Sequence, residues 1–308
     1  MKVFVAGASG AIGRPLLPRL VAAGHEVTGM TRREGRAEGI RAVGARAVIC
    51  DVYEAEALRE AVAAAEPEVV VNLLTALPEK FKPRLDLTAT NRVRIEGTRN
   101  LIAAARAAGA RRLVAESVAF MYAPRGDWVK DEEAPMLEPS RSRFGAARAA
   151  VADLEEQVLG AEGLAGLVLR YGWLYGPGTY YGRGGSLAED ASKRRLPIVG
   201  AGTGTFSFVH VEDAASATVA AVERGAPGIY NLVDDDPAPQ REWARVYAEA
   251  LGAKPPRRVP FWLARLFAAD TAQSAVSMRG AANAKAKREL AWQPTHPSWR
   301  QGFAASLA

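Results

Sequence analysis

The chain has 308 residues, 49% of them hydrophobic and 24% charged, with a formal net charge of +6 and a single cysteine. That length can bury a full core and suits one large domain or two intimate ones. Lone Cys50 excludes a disulfide framework and a cysteine metal site and suits a reducing cytosol. The positive charge is largely arginine scattered among acids, which argues against a nucleic-acid surface but leaves room for an anionic cofactor or substrate. No apolar run is long enough to span a bilayer, and the apolar start is broken at once by glycine. Neither a membrane span nor a signal peptide is expected, and the expected location is cytoplasmic.

Lys2–Ala6 reads as a short buried strand, and Leu16, Leu17, Leu20 and Val21 recur at helical spacing after Pro15. Between them, Gly7-Ala8-Ser9-Gly10-Ala11-Ile12-Gly13 forms a strand-to-helix turn. Glycines at this spacing permit a sharp turn and let a pyrophosphate approach main-chain N–H groups. A ligand-free tight turn is the plainer reading, but the flanking strand and helix favour nucleotide binding. Ser9 fits a phosphate-side donor better than a nucleophile, because no base stands at a recognisable spacing.

The second strand, His25–Met30, ends at Thr31-Arg32-Arg33. An acid in that position would meet the ribose hydroxyl of NAD; two arginines favour the extra phosphate of NADP, unless they only solubilise a loop. Ala47–Cys50 reads as the third strand, closed by Asp51-Val52. An alanine-rich helix over 55–65 and a fourth strand over 69–74 follow, ending at Leu74-Thr75. A continuous helix over 91–108, a fifth strand over 112–115, a helix over 143–159 and a sixth strand over 165–170 continue the alternation. This pattern predicts an α/β fold with a doubly wound parallel sheet, and ligands outside the carboxyl ends of its strands.

These pieces, with Asn91, Gly97–Leu101, Leu169-Arg170, Tyr175–Gly178, Phe208–Asp213, Gly228–Asn231 and Ala286–Pro294, resemble an extended short-chain dehydrogenase/reductase of the NAD-dependent epimerase/dehydratase type. The resemblance implies a Rossmann domain over 1–176 plus 207–231, and a smaller substrate-capping domain over 177–206 plus 232–308. The cofactor contacts would come from Gly7, Ser9, Gly10, Ala11, Ile12, Gly13, Arg32, Arg33, Asp51, Val52, Leu74, Thr75, Arg148 and Tyr171. NADP is the expected cofactor, ahead of NAD. A homodimer through the helices at 91–108 and 143–159 is expected, as is a small-molecule substrate. His210 is implied to tie the return segment to the sheet.

The family's usual catalytic pieces are a Tyr-x-x-x-Lys pair on a helix and a Ser or Thr on the preceding strand. Here Phe144, Arg148 and Val118 stand at those positions. Phenylalanine has no proton to give, and arginine is not a tunable base. An atypical enzyme would draw its acid from elsewhere: Tyr171 first, Tyr122 second, then the pair Tyr180 and Tyr181, with Ser117 and Glu116 contributing. Each tyrosine could equally be a packed amphipathic ring. The competing reading is an NADP-binding sensor without turnover. Arg183, Lys193, Arg194 and Arg195 could meet an anionic substrate or simply be solvated. No His, Asp and Glu spacing recommends a metal.

Overall fold

A computed structural model describes residues 1–82, 85–140 and 142–307. Seven strands form its central sheet: β1 (Lys2–Ala6), β2 (Glu26–Thr31), β3 (Arg46–Ile49), β4 (Val69–Asn72), β5 (Arg112–Val118), β6 (Ala165–Tyr171) and β7 (Gly228–Leu232). All neighbouring pairs are parallel, in the order β7-β6-β5-β4-β1-β2-β3. Residues alternate between two faces, as strand geometry requires. Val3, Val5 and Val71 pack with Leu16, Leu17 and Leu20 of α1 (Gly13–Ala22). Phe4, Ala6 and Val70 pack the other way, with Leu58 and Val62 of α2 (Ala55–Ala65) and Leu101 and Ala104 of α3 (Thr98–Ala107). β1 sits between β4 and β2, so the chain leaves it in both directions and opens a crevice at its carboxyl end.

Two helices complete the frame of the site. α4 (Arg143–Leu159) begins where the Ser142 hydroxyl accepts from the Gly145 N–H at 3.0 Å, a normal N-cap. α5 (Val211–Glu223) begins at His210, whose Nδ1 accepts from the Glu212 N–H at 3.2 Å. The helix expected over 91–108 is not uniform. Thr88–Arg92 is α-helical, Val93–Gly97 is a π-helical turn, and α3 follows. Periodicity cannot detect one widened turn, because the apolar residues on either side keep their face.

Beyond β6 the chain builds a second region from aromatic rings. Trp173–Tyr175 pairs in parallel with Phe208–His210, and Tyr175, Tyr181, Phe206, Phe208, Trp243, Tyr247, Trp299 and Phe303 share one core. A last helix of note, α6 (Phe261–Ser277), breaks at Ala268 (φ −155°, ψ 70°) and walls the mouth of the cleft. Among the described residues no helix is long and apolar enough to cross a membrane.

Candidate active site

The glycine turn is dictated by crowding of the main chain. Gly7 has φ +90°, and a Cβ there would stand 2.6 Å from the Leu73 carbonyl oxygen. A Cβ on Gly13 would lie 2.5 Å from the carbonyl oxygens of Gly7 and Ala8. Only glycine fits either place. Gly10 donates its N–H to the Gly7 carbonyl at 2.9 Å and the Arg14 N–H meets the Gly10 carbonyl at 3.1 Å, so the turn runs directly into the N-terminus of α1 at Ile12. Such an N-terminus favours a diphosphate, so the residues present fit a dinucleotide. Ser9 Oγ lies 3.2 Å from Thr31 Oγ1 on the rim, and Ala11 lines the cleft.

Arg32 and Arg33 are exposed at the end of β2, with Arg32 Nη1 3.7 Å from Asp51 Oδ2. Asp51 Oδ1 accepts from the Tyr53 N–H at 3.1 Å, and Asn100 Nδ2 donates to the Val52 carbonyl at 2.9 Å. The exit from β4 is held in the same manner: Asn72 Oδ1 accepts from the Leu74 N–H at 3.2 Å, while its Nδ2 donates to Thr98 Oγ1 at 3.1 Å. Thr75 continues into the wall of the cleft.

The cleft opens into a cavity of about 940 Å³ whose wall includes Phe81, Phe120, Met121, Phe144, Trp173 and Tyr180. Phe120 and Trp173 stack, with ring centroids 4.4 Å apart. Phe144 and Val118, where the resemblance implies the family's tyrosine and serine or threonine, both line it. Arg148 keeps Nε and Nη1 buried without a hydrogen-bond partner among the described residues.

Of the substitute proton donors expected from the sequence, Ser117, Tyr171, Tyr180 and Tyr181 line the cavity, and the hydroxyls of Ser117, Tyr122, Tyr171 and Tyr180 have protein partners. Tyr171 is 2% exposed and its hydroxyl meets Thr218 Oγ1 at 2.6 Å, on α5. Burial drives its phenol far above the ordinary range. Tyr122 donates to Asn231 Oδ1 at 2.7 Å and accepts from Arg170 Nη1 at 3.1 Å. Ser117 donates to Glu155 Oε1 at 2.6 Å, and Glu155 in turn clamps Arg170 at 2.8 and 2.6 Å. Tyr122 and Ser117 therefore belong to one buried network that joins β5, β6, β7 and α4. Tyr180 donates to the Pro78 carbonyl, and Tyr181 is packed among Phe208, Trp243, Tyr247 and Phe303.

Glu116 remains. It lines the cavity beside Ser117, and burial raises its carboxyl to about 7, with the charge of Arg94 opposing the rise. The sequence reading gave Glu116 a minor part and passed over Arg94 altogether. Arg94 lies in the π-helical turn and also lines the cavity. A continuous helical pattern gave no signal for it.

The remaining polar candidates have protein partners, Arg183 while lining the cavity. Asp213 accepts from the Thr295 N–H at 2.7 Å and from the His296 N–H at 2.9 Å, tying the C-terminal segment to α5. His210 is pushed down to about 4 by burial and by its neighbour His296. Arg183 reaches the Leu307 carbonyl, Lys193 and Arg195 pair with Glu189 and Asp190 at 3.9 and 3.2 Å, and Arg194 Nε donates to the Pro255 carbonyl at 3.1 Å. No group of three potential metal ligands occurs among the described residues.

With that geometry in view, comparisons place the chain among known proteins. The model of the NAD dependent epimerase/dehydratase family matches residues 3–232. A Streptomyces protein named 3-diazoavenalumate denitrifying reductase is 48% identical, over 98% of this chain and 99% of its own. A Stigmatella aurantiaca ketoreductase of a farnesylated dihydroquinoline N-oxide is 29% identical over 86% and 78% of the two chains. The solved UDP-glucose 4-epimerase of Thermotoga maritima, bound to UDP-glucose, shares the fold with a TM-score of 0.78 at 20% identity, covering 99% and 97%. The relatives are reductases and epimerases, so the sensor reading gives way to an enzyme of the oxidoreductase or epimerase type. A dinucleotide turn at the head of a seven-stranded parallel sheet, matched by the family model over most of the chain, means that this protein belongs to the NAD dependent epimerase/dehydratase family.

Proposed function

We propose that the protein is an NADPH-dependent reductase that removes a diazo group from a small hydroxylated aromatic compound. The observation that carries this reading is the replacement of the family's proton-donating hydroxyl by Phe144 in the wall of an aromatic cavity. Reduction of a ketone creates an alkoxide at the reacting carbon and calls for a nearby acid. A diazonium group does not. Hydride added to its terminal nitrogen cancels a positive charge and leaves an aryl diazene, which loses dinitrogen as the N-bound hydrogen passes to the ring carbon. The substrate named for the Streptomyces relative is a diazo compound, and that relative matches nearly the whole chain.

For a diazonium phenolate the balance is one hydride and one proton in, one phenol and one dinitrogen out. Bound NADPH supplies the hydride. Gly7–Gly13 hold the diphosphate by main-chain N–H groups, and Arg32 with Arg33 take the 2′-phosphate. Glu116 holds the proton: with its carboxyl raised to about 7, it is largely protonated just below neutrality and can donate to the phenolate oxygen. The aromatic wall excludes water, which would otherwise compete for the diazonium group.

The test follows NADPH absorbance together with headspace dinitrogen, using ortho-hydroxybenzenediazonium and a panel of simple ketones, against a protein-free control. The expected result is dinitrogen released one-for-one with NADPH consumed, and little turnover of ketones. Ketone reduction without any enzyme-dependent dinitrogen would overturn the reading.

A further inference from the structure

Buried guanidinium groups are costly unless something pairs with them. Among the described residues Arg94, Arg170 and Arg279 are buried, and Arg94 and Arg170 are treated differently. Arg170 is satisfied by both oxygens of Glu155 and by Tyr122. Arg94 is 6% exposed, yet among the described residues it has neither a hydrogen bond nor a carboxylate oxygen within 4 Å; Glu116 and Glu155 act on it only through their charge. Its guanidinium stands at the wall of the cavity, presented by the π-helical turn Val93–Gly97. A widened turn of this kind shifts one residue out of the helical register and recurs at functional positions.

The other cations lining the cavity, Lys80, Lys82, Arg183 and Arg265, are all exposed. Arg94 is the one that is itself buried, so water screens its charge less than theirs. Glu116, whose charge acts on it, has its carboxyl raised by burial to about 7 and so offsets it only in part at neutral pH. The cavity wall that it shares also carries Phe120, Met121, Phe144 and Trp173. This is a pocket for a flat ring that carries one negative charge.

We propose that Arg94 anchors the carboxylate of an aromatic acid, so that the substrate of this enzyme is an arene bearing a carboxylic acid group as well as its reducible group. The proposal deepens the reductase reading and rests on it for the identity of the cavity as the substrate site. A guanidinium receives a carboxylate through two parallel N–H···O bonds, which orients the ring as well as binding it. An ester or amide of the same acid keeps the ring and loses the charge.

The experiment is calorimetric titration of the protein saturated with NADP⁺, using trans-cinnamate, methyl cinnamate and cinnamamide as probes. The acid is expected to bind about 30-fold more tightly than the ester or amide, as a desolvated charge-assisted pair implies. Arg94→Met should remove that preference by weakening the acid about 30-fold while leaving the ester within about 3-fold. Arg94→Lys, which keeps charge but not the fork, should fall between them. Equal binding of acid and ester by the wild-type protein, or no binding of the acid, overturns the proposal without recourse to any variant. If the acid preference holds while no dinitrogen is released from a diazonium, the reaction assigned above fails and the anchor stands. If dinitrogen is released and acid and ester bind alike, the anchor alone fails.

Discussion

At the glycine turn the geometry is a matter of main chain: Gly7 and Gly13 clear the way and the turn leads straight into the N-terminus of α1. Across the cleft the wall is made of side chains, with Phe120 stacked on Trp173 and Phe144 beside them. A backbone site tolerates almost any side chain that leaves the turn intact, so it can stay constant while the chemistry changes. A side-chain wall can be refitted residue by residue. By that contrast, a chain that keeps the dinucleotide end of its family is free to change the wall that faces the substrate.

The contrast can be broken most severely at Gly13. Gly13→Val places carbon atoms against the Gly7 and Ala8 carbonyls, so nucleotide affinity should fall by about 1,000-fold or more and the thermal midpoint should drop. Gly10→Ala, whose Cβ would meet only the Gly7 oxygen at 3.1 Å, should keep the fold and separate the two effects in a fluorescence titration with NADPH. On the opposite wall, Trp173→Ala should lower kcat/KM about 100-fold, with the Kd for NADPH changed less than about 2-fold. Equal losses in both quantities would show that the two ends of the cleft are not separable.

Glu116→Gln sharpens the comparison through pH. The Glu116 carboxyl sits at about 7 in the folded protein against an ordinary 4.5, so the native state holds its proton more tightly. Stability from this group is complete below about 4.5 and is lost as pH rises through 7. The glutamine variant should therefore gain about 1–3 kcal/mol on the wild type between pH 4 and pH 8 in urea titrations, while kcat falls about 10-fold and loses its fall near pH 7. Arg32→Ala should cost NADPH about 10-fold in kcat/KM and leave NADH nearly unchanged. The smallest effect is expected from Phe144→Tyr combined with Arg148→Lys: a few-fold gain on ketones at most, because Val118 still lacks the third hydroxyl and the cavity remains aromatic.

Much of the fold was readable because its signals are local. A strand of five residues, three glycines and an apolar helix face occupy one stretch at the start of the chain, and parallel strands alternating with helices have few ways to be arranged. The missing catalytic pair was equally local, since Phe144 and Arg148 stand on a single helix. The proton donors were not local. Tyr171 was the first choice because it follows Arg170, but its hydroxyl is captured by Thr218, 47 residues away. Tyr122 finds Asn231 across 109 residues, and Ser117 finds Glu155 across 38.

The sequence by itself determined the glycine turn and the order of strand and helix, because each depends on neighbours within a few residues. Only the tertiary structure decided which polar groups are spent and which are left over. It tied three hydroxyls to distant partners, lifted the Glu116 carboxyl by burying it, and opened one helical turn so that Arg94 meets the cavity unpaired. Burial and pairing are properties of the assembled enclosure, and no stretch of chain carries them alone.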